Sequence, residues 1–143
     1  MSAEENIESV KAGMEAFNAQ DWDRFFALDH ESIVTYAPDL DEPLKGLEAY
    51  KERFETNEKA FPDQHIETTR VFGQGDWVVL EGVFTGTHKG AFIGPGGQEV
   101  PPTNKQVELP IALVFKIEGG KLTEEHDYYD NLTFLSQLGL APE

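Results

Sequence analysis

The sequence predicts an α+β domain: N-terminal helices packed on one side of a curved, mainly antiparallel mixed sheet that wraps around them as a cone-shaped barrel. Two changes along the chain carry that prediction. Apolar residues at first recur every three or four positions, as in Ile7, Val10, Met14 and Phe17, and from His65 onward they recur every second position. The order of helices first and strands after them is that of segregated α+β architecture. A third observation sets the scale. With 143 residues, 39% of them apolar, and no internal repeat or linker, the whole span 1–143 reads as one domain around one core.

Ser2-Ala3-Glu4-Glu5 is a capping box that starts the first helix. Asp21 can cap a short second helix that turns Trp22, Phe25, Phe26 and Leu28 toward the core. Ser32 to Tyr36 reads as a brief strand broken by Pro38-Asp39, and Leu47, Tyr50 and Phe54 mark a third helix from Gly46 to Lys59 that Phe61-Pro62-Asp63 ends. In the strand from His65 to Phe72, Ile66, Thr68, Arg70 and Phe72 form one alternating set. A turn at Gly73–Asp76 leads into a longer strand, Trp77 to Thr87. Residues 89 to 104, rich in glycine and proline, read as a loop. Val107, Leu109, Ile111, Leu113, Phe115 and Ile117 share one face of the next strand. Gly119-Gly120 turns the chain into a last strand, Leu122 to Tyr129, and Leu132, Leu135 and Leu138 suggest a closing helix. Rolled into a cone, such a sheet leaves a pocket at its open end, a usual place for a small ligand.

Eleven basic against 27 acidic residues leave a formal charge of −16. That field repels phosphate backbones and anionic lipid, so neither nucleic acid nor a membrane surface is expected as a partner. The absence of cysteine excludes a disulfide framework, a thiolate nucleophile and Cys-ligated zinc, and fits a reducing compartment. The acidic N-terminus lacks the apolar run of a secretory signal, and a cytoplasmic location is expected. The four histidines show no His-x-x-x-His spacing, so no metal site is expected. Gly94-Pro95-Gly96-Gly97 is followed by no helix and does not make a phosphate cradle, and no serine sits in a Gly-x-Ser-x-Gly turn.

The last strand carries the chemistry. By alternation His126, Tyr128 and Asp130 share one face, while Glu125, Asp127 and Tyr129 share the other. Imidazole, phenol and carboxylate together can perform general acid–base catalysis, and the alternative role for Asp130 is the N-cap of the helix that follows. His88, bracketed by Gly86 and Gly90, is expected to overhang the pocket beneath the loop of residues 89–104. Trp77, Val79 and Val83 on one face of their strand, with Val78, Leu80 and Phe84 on the other, make both sheet faces apolar. A homodimer joined through the sheet is therefore expected.

Several stretches in order resemble the SnoaL-like polyketide cyclase (ester cyclase) family of the nuclear transport factor 2-like superfamily: Phe17–Asp23, Gly46–Tyr50, Phe61-Pro62-Asp63, Gly75–Val79, Gly86–Gly90, Pro101–Lys105, and Tyr129-Asp130-Asn131-Leu132 followed by Gln137-Leu138-Gly139. The resemblance implies an α+β cone, commonly dimeric, with no metal or organic cofactor. It implies cyclisation by an aldol-type step, or a related isomerisation, on a hydrophobic carbonyl-bearing small molecule. Asp130 then matches the family's catalytic aspartate, with His88, His126, Tyr128, Trp22 and Tyr50 as expected substrate contacts. The competing expectation is a non-catalytic small-molecule-binding or dimerisation domain of the same fold.

Overall fold

Ser2 begins the chain's first helix as its spacing requires. Its hydroxyl accepts the Glu5 amide, and the Glu5 carboxylate reaches back to the Ser2 backbone. The computed structural model describes residues 2–94 and 97–141. Pro95 and Gly96, in the middle of the Gly94–Gly97 stretch, lie outside the described residues. The elements run α1 (Ala3–Asn18), α2 (Trp22–Phe26), β1 (Asp29–Tyr36), β2 (Leu44–Lys45), α3 (Leu47–Ala60), β3 (His65–Gln74), β4 (Trp77–Thr87), β5 (Phe92–Ile93), β6 (Glu99–Val100), β7 (Gln106–Glu118), β8 (Lys121–Tyr128) and α4 (Asn131–Gln137).

Six strands form one sheet in the order β2-β1-β8-β7-β4-β3. Every pairing is antiparallel except β1 with β8, so the sheet is mixed and mainly antiparallel, as the sequence predicts. The helices cover its concave face. Val10, Phe17, Phe25, Ile33, Tyr50, Val78, Leu80, Phe115 and Ile117 form the main core there. A second cluster, built on Ala60, Phe61, Val107, Leu109 and Leu138, closes the other end of the sheet. The six apolar residues of β7 line the inner face along its whole length and join the two clusters. Pro110 interrupts the same strand without harm, because the β8 ladder ends at Ala112 and the missing N–H deprives no neighbour on that side.

Three local departures from the predicted pattern have physical causes. Residues 89–104 hold a small hairpin, with Phe92 paired to Val100, too short to show through the glycines and prolines around it. In β3 the register shifts between Thr68 and Arg70. Thr69 is therefore an extra residue, and the inward set becomes Ile66, Val71 and Gly73 rather than an unbroken alternation. The third departure decides the site. Gly119 and Gly120, both at positive φ, make a two-residue turn that pairs Glu118 with Lys121 and Ile117 with Leu122. Beyond it Lys116 pairs with Glu124, so Thr123 is a bulge residue and every later side chain of β8 is carried to the opposite face.

Candidate active site

Because of that bulge, Phe115 stands opposite Glu125 and Leu113 opposite Asp127, which turns Glu125 and Asp127 into the cone. From α3, Tyr50 and Arg53 lie one helical turn apart over these two carboxylates. The Tyr50 hydroxyl donates to Glu125 Oε1 at 2.7 Å, and both side chains are buried. Asp29, at the start of β1, joins the cluster from the other side. Burial, reinforced by the Glu125 carboxylate, pushes its carboxyl up to about 8, so it is protonated at neutral pH. Its Oδ2 is enclosed and has no hydrogen-bond partner. Asp127 also sits well above the usual carboxylate range, raised by burial and by Glu125, while Arg53 pulls the other way. Part of the Asp127 residue reaches the surface, but its Oδ1 is fully enclosed and unpartnered.

Next to Asp127 lies a charged cluster with full hydrogen bonding. Arg53 donates to both oxygens of Asp39 at 2.8 Å, and the Tyr129 hydroxyl donates to Asp39 Oδ1 at 2.8 Å. Despite partial burial, these bonds hold the Asp39 carboxyl below its ordinary value. Between the helices and the sheet a cavity of about 20 Å³ is bounded by Asp29, Tyr50, Glu125, Val10, Met14, Phe25, Phe115 and Leu122. That is room for roughly one water. A wider open groove of about 490 Å³ runs between α1 and β3.

The expected site residues are dispersed by this geometry. Tyr50 alone of the six lines the interior cavity. Trp22 packs edge-on against Phe17 and Phe25 at the rim of the main core. His126 and Tyr128 are on the convex outer face. There His126 stacks flat on Tyr36, with centroids 4.3 Å apart, and Tyr128 is 57% exposed. Asp130 is exposed and performs the capping role that was the alternative reading: Oδ1 accepts the Leu132 and Thr133 amides and Oδ2 the Thr133 hydroxyl. Those bonds, the Thr133 hydroxyl first, lower its pKa. The shared face of His126, Tyr128 and Asp130 is correct as alternation, but the Thr123 bulge turns it outward.

His88 is fully buried beneath residues 89–104. Its Nδ1 takes the Thr103 amide at 3.1 Å, its backbone pairs with Asn104 and Lys105, and Phe61 and Phe92 flank the ring. Burial lowers its pKa and keeps it neutral. It lines neither the cavity nor the groove. Glycine is needed close by, because a Cβ at Gly90 would fall 2.0 Å from the Lys59 carbonyl oxygen.

The geometry brings together Asp29, Arg53, Asp39, Glu125 and Asp127, of which the sequence reading named only Glu125 and Asp127, as the second face of the last strand, and gave none of them a role. One signal was present: the six-residue apolar face of β7 must turn inward, so whichever β8 set stands opposite it turns inward too. Among the described residues no group of three or more His, Asp or Glu side chains could hold a metal ion, and no helix is long and apolar enough to cross a membrane.

A curved sheet closed on its helices, with carboxyls and phenols on its inner wall, defines an α+β cone with a titratable interior. The chain belongs to the SnoaL-like polyketide cyclase family, whose pattern it matches over residues 8–138. Among solved structures it is similar to AclR from Streptomyces galilaeus, a candidate hydroxylase, at 26% identity over 99% of this chain and 100% of that one, with a TM-score of 0.83. It is also similar to IdmH from Streptomyces antibioticus, a candidate polyketide cyclase, at 26% identity over 94% and 98%, TM-score 0.75. A candidate SnoaL-like polyketide cyclase from Jannaschia sp. CCS1, 24% identical over 99% and 95%, shares the fold at a TM-score of 0.85. Comparison with curated proteins finds no significant match.

Proposed function

We propose that this protein is an acid–base enzyme of the cyclase or isomerase type, acting on a hydrophobic, carbonyl-bearing small molecule taken into the cone, with Asp127 as the proton-transferring group. The observation that carries the reading is the inward turn of Glu125 and Asp127 beneath α3, where burial and the neighbouring Glu125 carboxylate raise the Asp127 pKa. A base of that kind removes a proton from the carbon next to a carbonyl and returns it to the product. Tyr50 fixes Glu125 beside Asp127, and protonated Asp29 closes the cluster without adding a second full charge. Asp130 matches the aspartate that the family resemblance marks as catalytic, but its three hydrogen bonds go to α4. The inner-face carboxylate is the better placed.

The test is proton wash-out. Incubated in D2O with 2-tetralone, the protein should exchange the benzylic ketone protons faster than buffer, read by NMR. Asp127→Asn should remove the enhancement. Exchange unaffected by that substitution ends the assignment.

We further propose that the outer sheet face joins two copies of the chain. Phe72, Val79, Val114, His126 and Tyr36 lie in register across five strands, and Phe72 in that row, with Trp77 and Tyr128 beside it, are 52%, 40% and 57% exposed. A face so apolar, on a chain with a formal charge of −16, is better covered than wetted. Light scattering at micromolar concentration should give twice the mass of the chain.

A further inference from the structure

The cavity inside the cone holds little more than a water, and a hydrogen-bonded ion pair sits beside Asp127. Asp39 lies on the connection between β1 and β2, its side chain 40% exposed. It is gripped by two guanidinium N–H groups and a phenol O–H, all at 2.8 Å, the arrangement that a planar two-oxygen anion requires. Arg53 and Tyr129 stand on regular structure or next to it, at α3 and the end of β8, whereas the gripped carboxylate rides on a connecting segment. The donors thus stand on or beside regular structure and the acceptor on a connection outside it. Beside them the enclosed Asp127 Oδ1 has no partner, so the immediate neighbourhood offers a three-donor anion cradle and an unsatisfied carboxyl oxygen together.

We propose that Arg53 and Tyr129 are the substrate's anion-binding site, that Asp39 occupies it in the free protein as an internal stand-in, and that the ligand it takes is a planar two-oxygen anion: an aromatic carboxylate or the enolate of a β-dicarbonyl. This deepens the reading above and rests on it. A ligand oxygen that replaces Asp39 on Arg53 releases the β1–β2 connection and opens the cone. A β-dicarbonyl seated there has its acidic carbon next to Asp127. The C–H bond breaks, its proton goes to the ionised Asp127 carboxylate, and the electron pair moves onto the two oxygens held by Arg53 and Tyr129. Arg53 pulls the Asp127 pKa down against burial and Glu125, which raise it, and so increases the ionised fraction that this step needs.

Three probes separate the possibilities: 2-naphthoate for a carboxylate, benzoylacetone for an enolate, and 2-acetylnaphthalene as a neutral control of similar size. Asp39→Ala, which empties the cradle, should bind the anions about tenfold tighter than the wild type and leave the neutral probe unchanged; Asp39→Asn should give a smaller gain of the same kind. Arg53→Gln should erase the preference for anions. Tighter binding of benzoylacetone alone, or of naphthoate alone, says which oxygen pair the cradle is built for. In the unaltered protein, saturating anion should shift the Arg53 guanidinium resonances, a readout that does not depend on any variant folding. No shift there, or no gain in a folded Asp39 variant, overturns the proposal. The two readings fail separately. If the anion affinities behave as stated while Asp127→Asn leaves wash-out intact, the cradle stands and the base assignment falls; if wash-out needs Asp127 but neither Asp39 variant gains affinity, the reverse holds.

Discussion

The two faces of β8 carry similar side chains and have opposite fates. Glu125, Asp127 and, just past the strand, Tyr129 face inward, where burial shifts Asp127 and Tyr129 and where Tyr50 and Arg53 come down from α3 to meet them. Glu124, His126 and Tyr128 face outward, where His126 stacks on Tyr36 and sits 3.6 Å from Glu124. A carboxylate and a phenol occur on both sides, with a second carboxylate inside where an imidazole stands outside. What separates a site from a surface is the company each keeps: desolvation and opposing charge inside, water and a flat aromatic row outside.

The largest expected effect sets Asp127 against Asp130. Asp127→Asn should reduce wash-out activity by about 10²–10⁴-fold, the usual cost of losing a positioned acid–base group. Asp130→Asn should leave activity within a few-fold and lower Tm, because the amide keeps only part of the α4 cap. Measured on both variants by NMR exchange and calorimetry, an inverted result would break the contrast between the faces.

Next in size is the pH dependence of stability. Asp29 has an ordinary value of 3.8 and a folded-state value of about 8, so between those limits the folded protein binds the proton that the unfolded chain releases. Stability from this group is present below about pH 4 and lost as pH rises toward 8, a loss of up to about 6 kcal/mol. Asp127 adds to the same trend. Asp39 and Asp63, whose values are lowered, have the opposite sign and lose their contribution as pH falls through their folded values. A thermal-melt series should therefore peak in mildly acid solution, and Asp29→Asn should raise Tm at pH 8 and flatten that limb.

A smaller effect concerns the outer face. Val114→Glu, placed between Val79 and His126 in the row, should convert a dimer to a monomer in light scattering while wash-out per chain changes little. A parallel collapse of activity would mean that the two faces are not independent. The smallest is Tyr50→Phe, which removes one hydrogen bond from Glu125 and should move the alkaline limb of the rate profile with only a few-fold change at its maximum.

Much of this was legible beforehand. The capping box, the 3.6-residue stripe of α1, the β7 face and the order of helices and strands follow from spacing alone, and they suffice for the cone. Which face of β8 turns inward was readable up to one binary choice. A two-residue turn at Gly119-Gly120 continued without interruption would have set Leu113 opposite His126 and sent His126 and Tyr128 inward. The extra residue at Thr123 reverses that assignment, and nothing in the local sequence marks it, since threonine suits a bulge and a regular strand alike. Asp29, Asp39 and Arg53 were hidden for another reason. They lie far from β8 in sequence and acquire meaning only through the β1–β8 pairing and the packing of α3.

That pairing has a consequence for how the protein comes into being. Val34 and Thr35 are partnered by Glu124 and Glu125, so an early-made strand waits for a segment 90 positions further along (124 − 34) to emerge from the ribosome. Until then α1, α2 and β1 have no partner wall on that side, and Asp29 has no Glu125 beside it. The acid cluster thus comes together in the closing step of folding. A nascent chain stalled before residue 121 can hold helices and a β3–β4–β7 meander, yet lacks Glu125 and Asp127 and with them the acid cluster.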